Sequence, residues 1–331
     1  MMWNLLSLIN KNLTVAIPVM MISGFIYGMF FNTSFLKNLI LPFTFLMVYP
    51  MMISLKIKKV FETGDMKAQL YTQTINFLII PFIAFGIGKV FFPENPYMAL
   101  GLLLASLLPT SGMTISWTGF GKGNVEAAIK MTVIGLTLGS VAAPFYLDWL
   151  MGAHLELDLG AVAKQIGLIV FLPMAAGFLT QQYLIKKAGQ QAFQMVWAPR
   201  FPPLSTIGVL GIVFIAIALK AGSIAAKPQM LIVIILPLFI LYALNFFIST
   251  AAGKMFLEPA DAIALVYGTV MRNLSIALAV AINTFGEKGA DAAMVISIAY
   301  ILQVQSAAWY AKYTDRIFRR PDVILSTKRR F

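Results

Sequence analysis

Phe120-Gly121-Lys122-Gly123-Asn124-Val125-Glu126-Ala127-Ala128 and Phe285-Gly286-Glu287-Lys288-Gly289-Ala290-Asp291-Ala292-Ala293 are one turn written twice, half of the 331-residue chain apart. Each copy closes one long apolar run and opens the next. Phe-Gly turns recur between helices, so the weight of the match lies in its position at half-length. Five runs separate the copies, an odd number, so the two halves of the chain enter a membrane in opposite directions. Inverted repeats are a signature of alternating-access transporters, whose substrate sits near the midplane where interrupted helices meet.

Outward from these turns the chain divides into ten runs, at 13–32, 39–55, 68–92, 97–120, 124–147, 159–184, 202–221, 230–252, 260–284 and 290–311. Each is about 20 residues, the length that crosses a hydrocarbon core of roughly 30 Å. The composition is 60% hydrophobic and 11% charged, with a mean hydropathy of +0.84. A soluble domain carries about 25% charged residues, so this chain could not cover a water-facing surface. In lipid only helices and closed barrels satisfy their backbone groups, and these runs lack the alternation of barrel strands. The expected fold is an all-α polytopic membrane protein of ten transmembrane helices. They form one transmembrane domain over 1–331, with inverted repeats at 1–157 and 158–320 and a basic cytoplasmic tail at 321–331. The first run follows Lys11 and lacks a small-residue cleavage site, so it reads as a retained span, not a signal peptide.

With ten spans both termini share a side. That side collects Lys56, Lys58, Lys59 and Lys67, then Lys186, Lys187 and Arg200, then the tail from Lys312 to Arg330. The other side holds Lys37, Lys89, Lys164, Lys220, Lys227 and Lys288. The excess places both termini in the cytoplasm, on a multi-pass protein of the plasma (inner) membrane. It also accounts for the net charge of +12 without any nucleic-acid partner. Lys328-Arg329-Arg330 is a polybasic end able to meet acidic lipid headgroups, or simply a solvated tail. There is no cysteine, and the one histidine, His154, lies in a hydrophilic connection. Disulfides, thiolate ligands and a histidine metal site all drop out, and no metal or cofactor is expected. No Walker motif or nucleophile–base pair supports an ATP-driven pump or an intramembrane enzyme. Oligomeric state is left open.

Two segments break the helical pattern. Pro109-Thr110-Ser111-Gly112-Met113-Thr114 in the fourth run pairs helix breakers with hydroxyls. Such a segment offers freed carbonyls and neutral ligands for a substrate, or is a kink whose hydroxyls bond back to their own backbone. Tyr267-Gly268-Thr269-Val270-Met271-Arg272-Asn273-Leu274-Ser275 in the ninth carries an arginine deep in a span. Intramembrane charges face the bundle interior and pair with something. For Arg272 two partners stand open: a bound anion, or backbone carbonyls of the broken fourth helix. Lys130 follows Glu126 by four residues, the spacing of a helical ion pair; a lysine that loses its proton readily would instead couple transport to protons. Asn76 stands five residues before Pro81, which loosens its helix. The other amides, Gln73, Asn245, Gln303 and Gln305, suit bridges between helices.

In these segments the chain resembles the bile acid/sodium symporter superfamily, and within it the arsenite-efflux permease branch. The resemblance is strongest in Leu46-Met47-Val48-Tyr49-Pro50-Met51-Met52, from Asn76 to Pro81, and from Arg272 to Gly286. It implies ten spans with cytoplasmic termini, a panel and a core, and fourth and ninth helices that unwind and cross. The departures carry as much. Where arsenite permeases have an essential cysteine this chain has Thr110, and where they have a glutamate in the ninth span it has Ser275. Where the sodium-coupled branch has a Ser-Asn pair it has Thr114 and Ile115, and its Glu and Gln of the ninth span fall on Gly268 and Arg272. Thr132 keeps a threonine of the fifth span, and Asn76 keeps an amide of the third in kind.

The expected function is secondary active transport of a small solute, an anion, with Arg272 supplying positive charge where relatives bind a cation. Thr110, Ser111, Thr114, Asn76, Arg272, Asn273 and Ser275 are the candidate substrate ligands. Lys130, Thr132 and Glu126 are the candidate coupling residues. The alternatives are thiol-independent arsenite or antimonite efflux, and a non-transporting membrane sensor on the same fold. Matched helix breaks in both halves favour a transporter, since a static sensor needs neither.

Overall fold

A computed structural model describes residues 12–55, 64–152, 159–226 and 228–318, with Leu6, Leu8 and Ile9. Lys11, Lys56, Lys58, Lys59, His154, Lys227 and the basic tail 321–331 lie outside the described residues. So does the boundary at 157–158 between the expected repeats.

Among the described residues the structure is helical, with no strand beyond one isolated bridge. Seven helices are long and apolar enough to cross a membrane, and three shorter ones are apolar too. The chain runs through α1 (Leu13–Phe30), a 3₁₀ turn (Ser34–Leu39) and α2 (Ile40–Ile53). Then come α3 (Met66–Phe91), α4 (Pro96–Leu107), α5 (Gly112–Phe120) and α6 (Val125–Met151). The rest is α7 (Val162–Ala188), α8 (Phe201–Ala226), α9 (Met230–Phe256), α10 (Pro259–Val270) and α11 (Leu274–Ile317).

Both breaks expected from the sequence are real. α4 and α10 each have 12 residues and each starts on a proline, Pro96 or Pro259. Proline suits the first helical turn, where no intrahelical partner for its missing N–H is needed. At 1.5 Å per residue each is about 18 Å long, well short of a span. The repeated turn is less regular than its sequence. In the second copy the backbone reverses at Gly286 (φ 56°), inside the 44 residues of α11. In the first copy the left-handed residue is Lys122 (φ 58°), one position later in the motif. The close return of the second copy needs Gly289, because a Cβ there would stand 2.0 Å from the Ala281 carbonyl oxygen.

The helices pack as two groups. α1, α2 and α7 gather around α8 and each other, while α3 to α6 pack with α9, α10 and α11. The first group is drawn tight by Gly24 and Gly28, four residues apart on α1. A Cβ on either would lie within 2.5 Å of a backbone oxygen of α8. Small residues at this spacing let membrane helices approach closely. The second group is centred on α4 and both arms of α11, where Leu100, Leu103, Ile276, Val280, Ala292 and Ile296 are fully buried. α11 is the main bridge between groups. Outward faces carry Leu41, Phe45, Ile232, Leu236 and Phe239, an apolar exterior suited to lipid.

Candidate functional site

Where α4 and α10 stop, the chain crosses itself. Pro109 and Arg272 pair as an antiparallel bridge, and the Asn273 N–H donates to the Leu108 carbonyl at 2.8 Å. α5 and α11 then restart on the far side of the crossing. Ser111 caps α5 in a capping box, its hydroxyl accepting from the Met113 N–H while Thr114 Oγ1 accepts from the Ser111 N–H. Asn273 caps α11, accepting from the Ile276 N–H at 3.3 Å.

A broken helix leaves carbonyls without intrahelical partners, and burial makes each one costly. Here side chains from neighbouring helices take them up. Asn76 Nδ2 donates to Gly268 O (3.0 Å) and Asn245 Nδ2 to Thr269 O (2.9 Å). Thr114 Oγ1 reaches Met271 O at 3.5 Å, and Gln303 Nε2 donates to Arg272 O at 3.2 Å. Gln303 is a two-sided clamp, since its Oε1 accepts from the Arg272 N–H (2.8 Å) and from the Tyr242 hydroxyl (3.1 Å). Asn76 lies in a π-helical segment, Ile75–Ile79, just ahead of Pro81, the loosened helix that the proline predicts. Such π-bulges are frequent at functional sites.

Arg272 is 3% exposed. Its Nη1 donates to the Ser106 carbonyl in the last turn of α4 at 3.1 Å. Among the described residues its Nη2 has no partner and the side chain makes no ion pair. A cavity of about 10 Å³ adjoins it, lined by Ile80, Ala105, Ser106, Leu241, Tyr242 and Asn245. That is near the lower bound for a single water. Of the two partners left open by the sequence, the backbone carbonyl of the broken fourth helix is present on one arm, while the other arm is unengaged.

Thr110 holds the break open. Its φ of 64° puts a β-branched residue in the left-handed region, a strain of order 1–3 kcal/mol. Its hydroxyl lies 3.2 and 3.3 Å from the Thr132 and Met131 carbonyls of α6 and 2.6 Å from Pro109 O. Gly135 of α6 makes the room, since a Cβ there would stand 2.8 Å from Thr110 Oγ1. Ser275 bonds Tyr300 across the two arms of α11.

Of the coupling candidates, Thr132 adjoins the break through its carbonyl, which takes the Thr110 hydroxyl. Lys130 Nζ pairs with Asp65 Oδ2 at 3.1 Å, and Asn124 Nδ2 donates to both Asp65 and Asp261 at 2.8 Å. This cluster ties the starts of α3, α6 and α10 together. Thr132 bonds back to Ala128 O at 2.8 Å on its own helix, and Glu126 sits in the first turn of α6. Sequence reasoning missed Asp65, Asn124 and Asp261, and gave Gln303 no special weight.

The model of the sodium bile acid symporter family matches residues 41–227, more than half the chain. The chain belongs to that family. It is similar to the arsenical-resistance protein Acr3 of Alkaliphilus metalliredigens, at 26% identity over 76% of this chain and 75% of the relative. The Acr3 of Corynebacterium glutamicum is 23% identical, over 74% and 70%. An uncharacterized transporter of Synechocystis is 24% identical, over 88% and 85%. With its apolar helices, this family member is a multi-pass membrane transporter. Sodium bile acid symporter family members are transporters rather than enzymes. In this one, the two interrupted helices are joined by an arginine and an amide clamp.

Proposed function

We propose that the chain is a secondary transporter that moves a small anion across the plasma membrane by alternating access. On this reading its ten spans form two inverted repeats with both termini cytoplasmic. The observation that carries the anion is Arg272, buried at the crossing with one arm unengaged and, among the described residues, no ion pair.

The carbonyl ends of α4 and α10 are taken up by donors: Asn76, Asn245 and Gln303, and by the full charge of Arg272. The starts of α5 and α11 carry the positive ends of their dipoles at the same crossing. The carbonyl ends and the N–H ends offset each other at the crossing, so the full charge of Arg272 makes the local field positive. Arg272 reaches the cargo through this field, because the cavity beside its Nη2 is only water-sized. A unit charge about 6 Å away, at an effective dielectric of about 20, favours a monoanion by about 3 kcal/mol. Ser111, Thr114, Asn273 and Ser275 are then ligands or near neighbours of the cargo, and Thr110 and Asn76 shape the break. The Asp65–Lys130 pair, with Glu126 and Thr132 near it on α6, is the candidate for coupling.

Arsenite or antimonite efflux is the second reading, favoured by similarity to the two Acr3 proteins. It has to proceed without a thiol, since the chain has no cysteine. Melting of purified protein in detergent separates the readings, because a ligand that binds only the folded state raises the melting temperature by mass action. A panel of small organic and inorganic anions is set against arsenite, sodium and a pH series. Stabilisation by an anion at constant sodium is expected. Stabilisation by arsenite alone would replace the anion reading with the efflux reading, and no response to any anion would overturn it.

A further inference from the structure

Charged pairs mark both ends of the helix bundle, but they join different partners. At the Gly121 end, among the described residues, Lys130–Asp65 and Lys122–Asp315 connect α3, α6 and α11 with the turn before α6. All of these belong to the group of α3 to α6 with α9 to α11. At the Gly286 end the pairs cross from one group to the other. Lys37, in the turn before α2, pairs with Glu287, and Lys220 of α8 pairs with Asp291 at 3.0 Å. One turn before the reversal, Asn283 Nδ2 donates to Thr44 Oγ1 of α2 at 2.9 Å. A rigid rocking of one group against the other leaves the first set intact and has to break all three contacts of the second.

We propose that Lys37–Glu287, Lys220–Asp291 and Thr44–Asn283 form a latch that holds the two helix groups shut at the Gly286 end. The structure is then the state closed at that end and open towards the other. The exposed face of α5 fits this. Gly112, Ser116 and Gly119 are all exposed, and a Cβ on Gly112 would meet nothing within 4 Å. A small, polar helix face at membrane depth belongs against a water-filled space, not lipid.

The three contacts are unequal. Lys37 and Glu287 side chains are 45% and 73% exposed, whereas Lys220 and Asp291 are 20% and 16% exposed. Exposed ion pairs contribute little because water screens them, so Lys220–Asp291 is the main fastening and Lys37–Glu287 a weaker one.

The latch rests on the alternating-access reading, but its test needs no cargo. The chain has no cysteine, so single reporters can be placed without background. Val48→Cys lies one turn past Thr44 on α2 and is buried, behind the latch. Ser116→Cys reports the opposite half. Each is labelled with a small hydrophilic maleimide in detergent, in the parent and with Glu287→Gln/Asp291→Asn. The expected result is labelling of Val48→Cys at least tenfold faster in the double variant, with slower labelling of Ser116→Cys. Asp291→Asn alone should account for most of the change, and the swapped pair Lys220→Asp/Asp291→Lys should restore the parent rates. Faster labelling at both reporters would mean local loosening, and unchanged labelling at both would mean no latch; either overturns the proposal. Absence of flux in the parent would count against the transport reading alone, whatever the labelling shows.

Discussion

Arg272→Gln lowers anion affinity about 100-fold while the protein still folds. Glutamine is two bonds shorter, so its amide meets the Ser106 carbonyl through a water in the space the guanidinium leaves, and the rest of the crossing keeps its own hydrogen bonds. What it removes is the charge. At about 1.4 kcal/mol per factor of ten, losing about 3 kcal/mol of field gives that factor. Affinity is read from the concentration dependence of the anion's melting shift. Arg272→Lys keeps the charge on a more flexible stem and should retain most of the affinity. Equal affinity in the parent and Arg272→Gln would mean that the guanidinium only holds the crossing together.

Gln303→Leu has the opposite signature, a large loss of stability. Leucine matches the volume but leaves the Arg272 N–H, the Arg272 carbonyl and the Tyr242 hydroxyl without their partner. Each buried group so stranded costs about 1–3 kcal/mol, and the three share one site, so a total of at least 3 kcal/mol is expected. Gln305→Leu is the control, on the same helix but exposed. A marked fall in melting temperature for the first and little change for the second is the expected outcome. Equal melting of the two variants would mean that water or a neighbour replaces the clamp.

The outline of this site was legible because its breaks rest on local chemistry. Proline and glycine so close together in Pro109 to Gly112 cannot continue a helix, and a charge in an apolar run, Arg272, stands out whatever surrounds it. Asn76 before Pro81 was legible for the same reason. What could not be read was who answers whom. Lys130 has a carboxylate at helical spacing in Glu126, so nothing local pointed to Asp65 on another helix. Gln303 looked like any bridging amide, since its importance comes from lying opposite a crossing made by two other helices. The left-handed Thr110 was hidden because a β-branched residue is among the least expected there, and only room left by Gly135 of α6 permits it. The repeated turn showed the symmetry of sequence but not that the reversal falls on Lys122 in one copy and Gly286 in the other.

The guanidinium of Arg272 is bolted to the chain. A counter-ion that binds and leaves is carried across with its cargo and cancels the cargo's charge; a fixed one stays behind. On the anion reading, each turnover then moves one uncompensated negative charge. A potential of about 100 mV, negative inside, does about 2.3 kcal/mol of work on it, enough to sustain roughly a 50-fold outward concentration ratio. Voltage by itself would then favour export, before any ion is coupled, and clamping the potential to zero in vesicles would abolish that bias. Import against the same voltage would need at least one co-transported cation to cancel that charge. One covalent substitution at the crossing would thereby set the default direction of traffic.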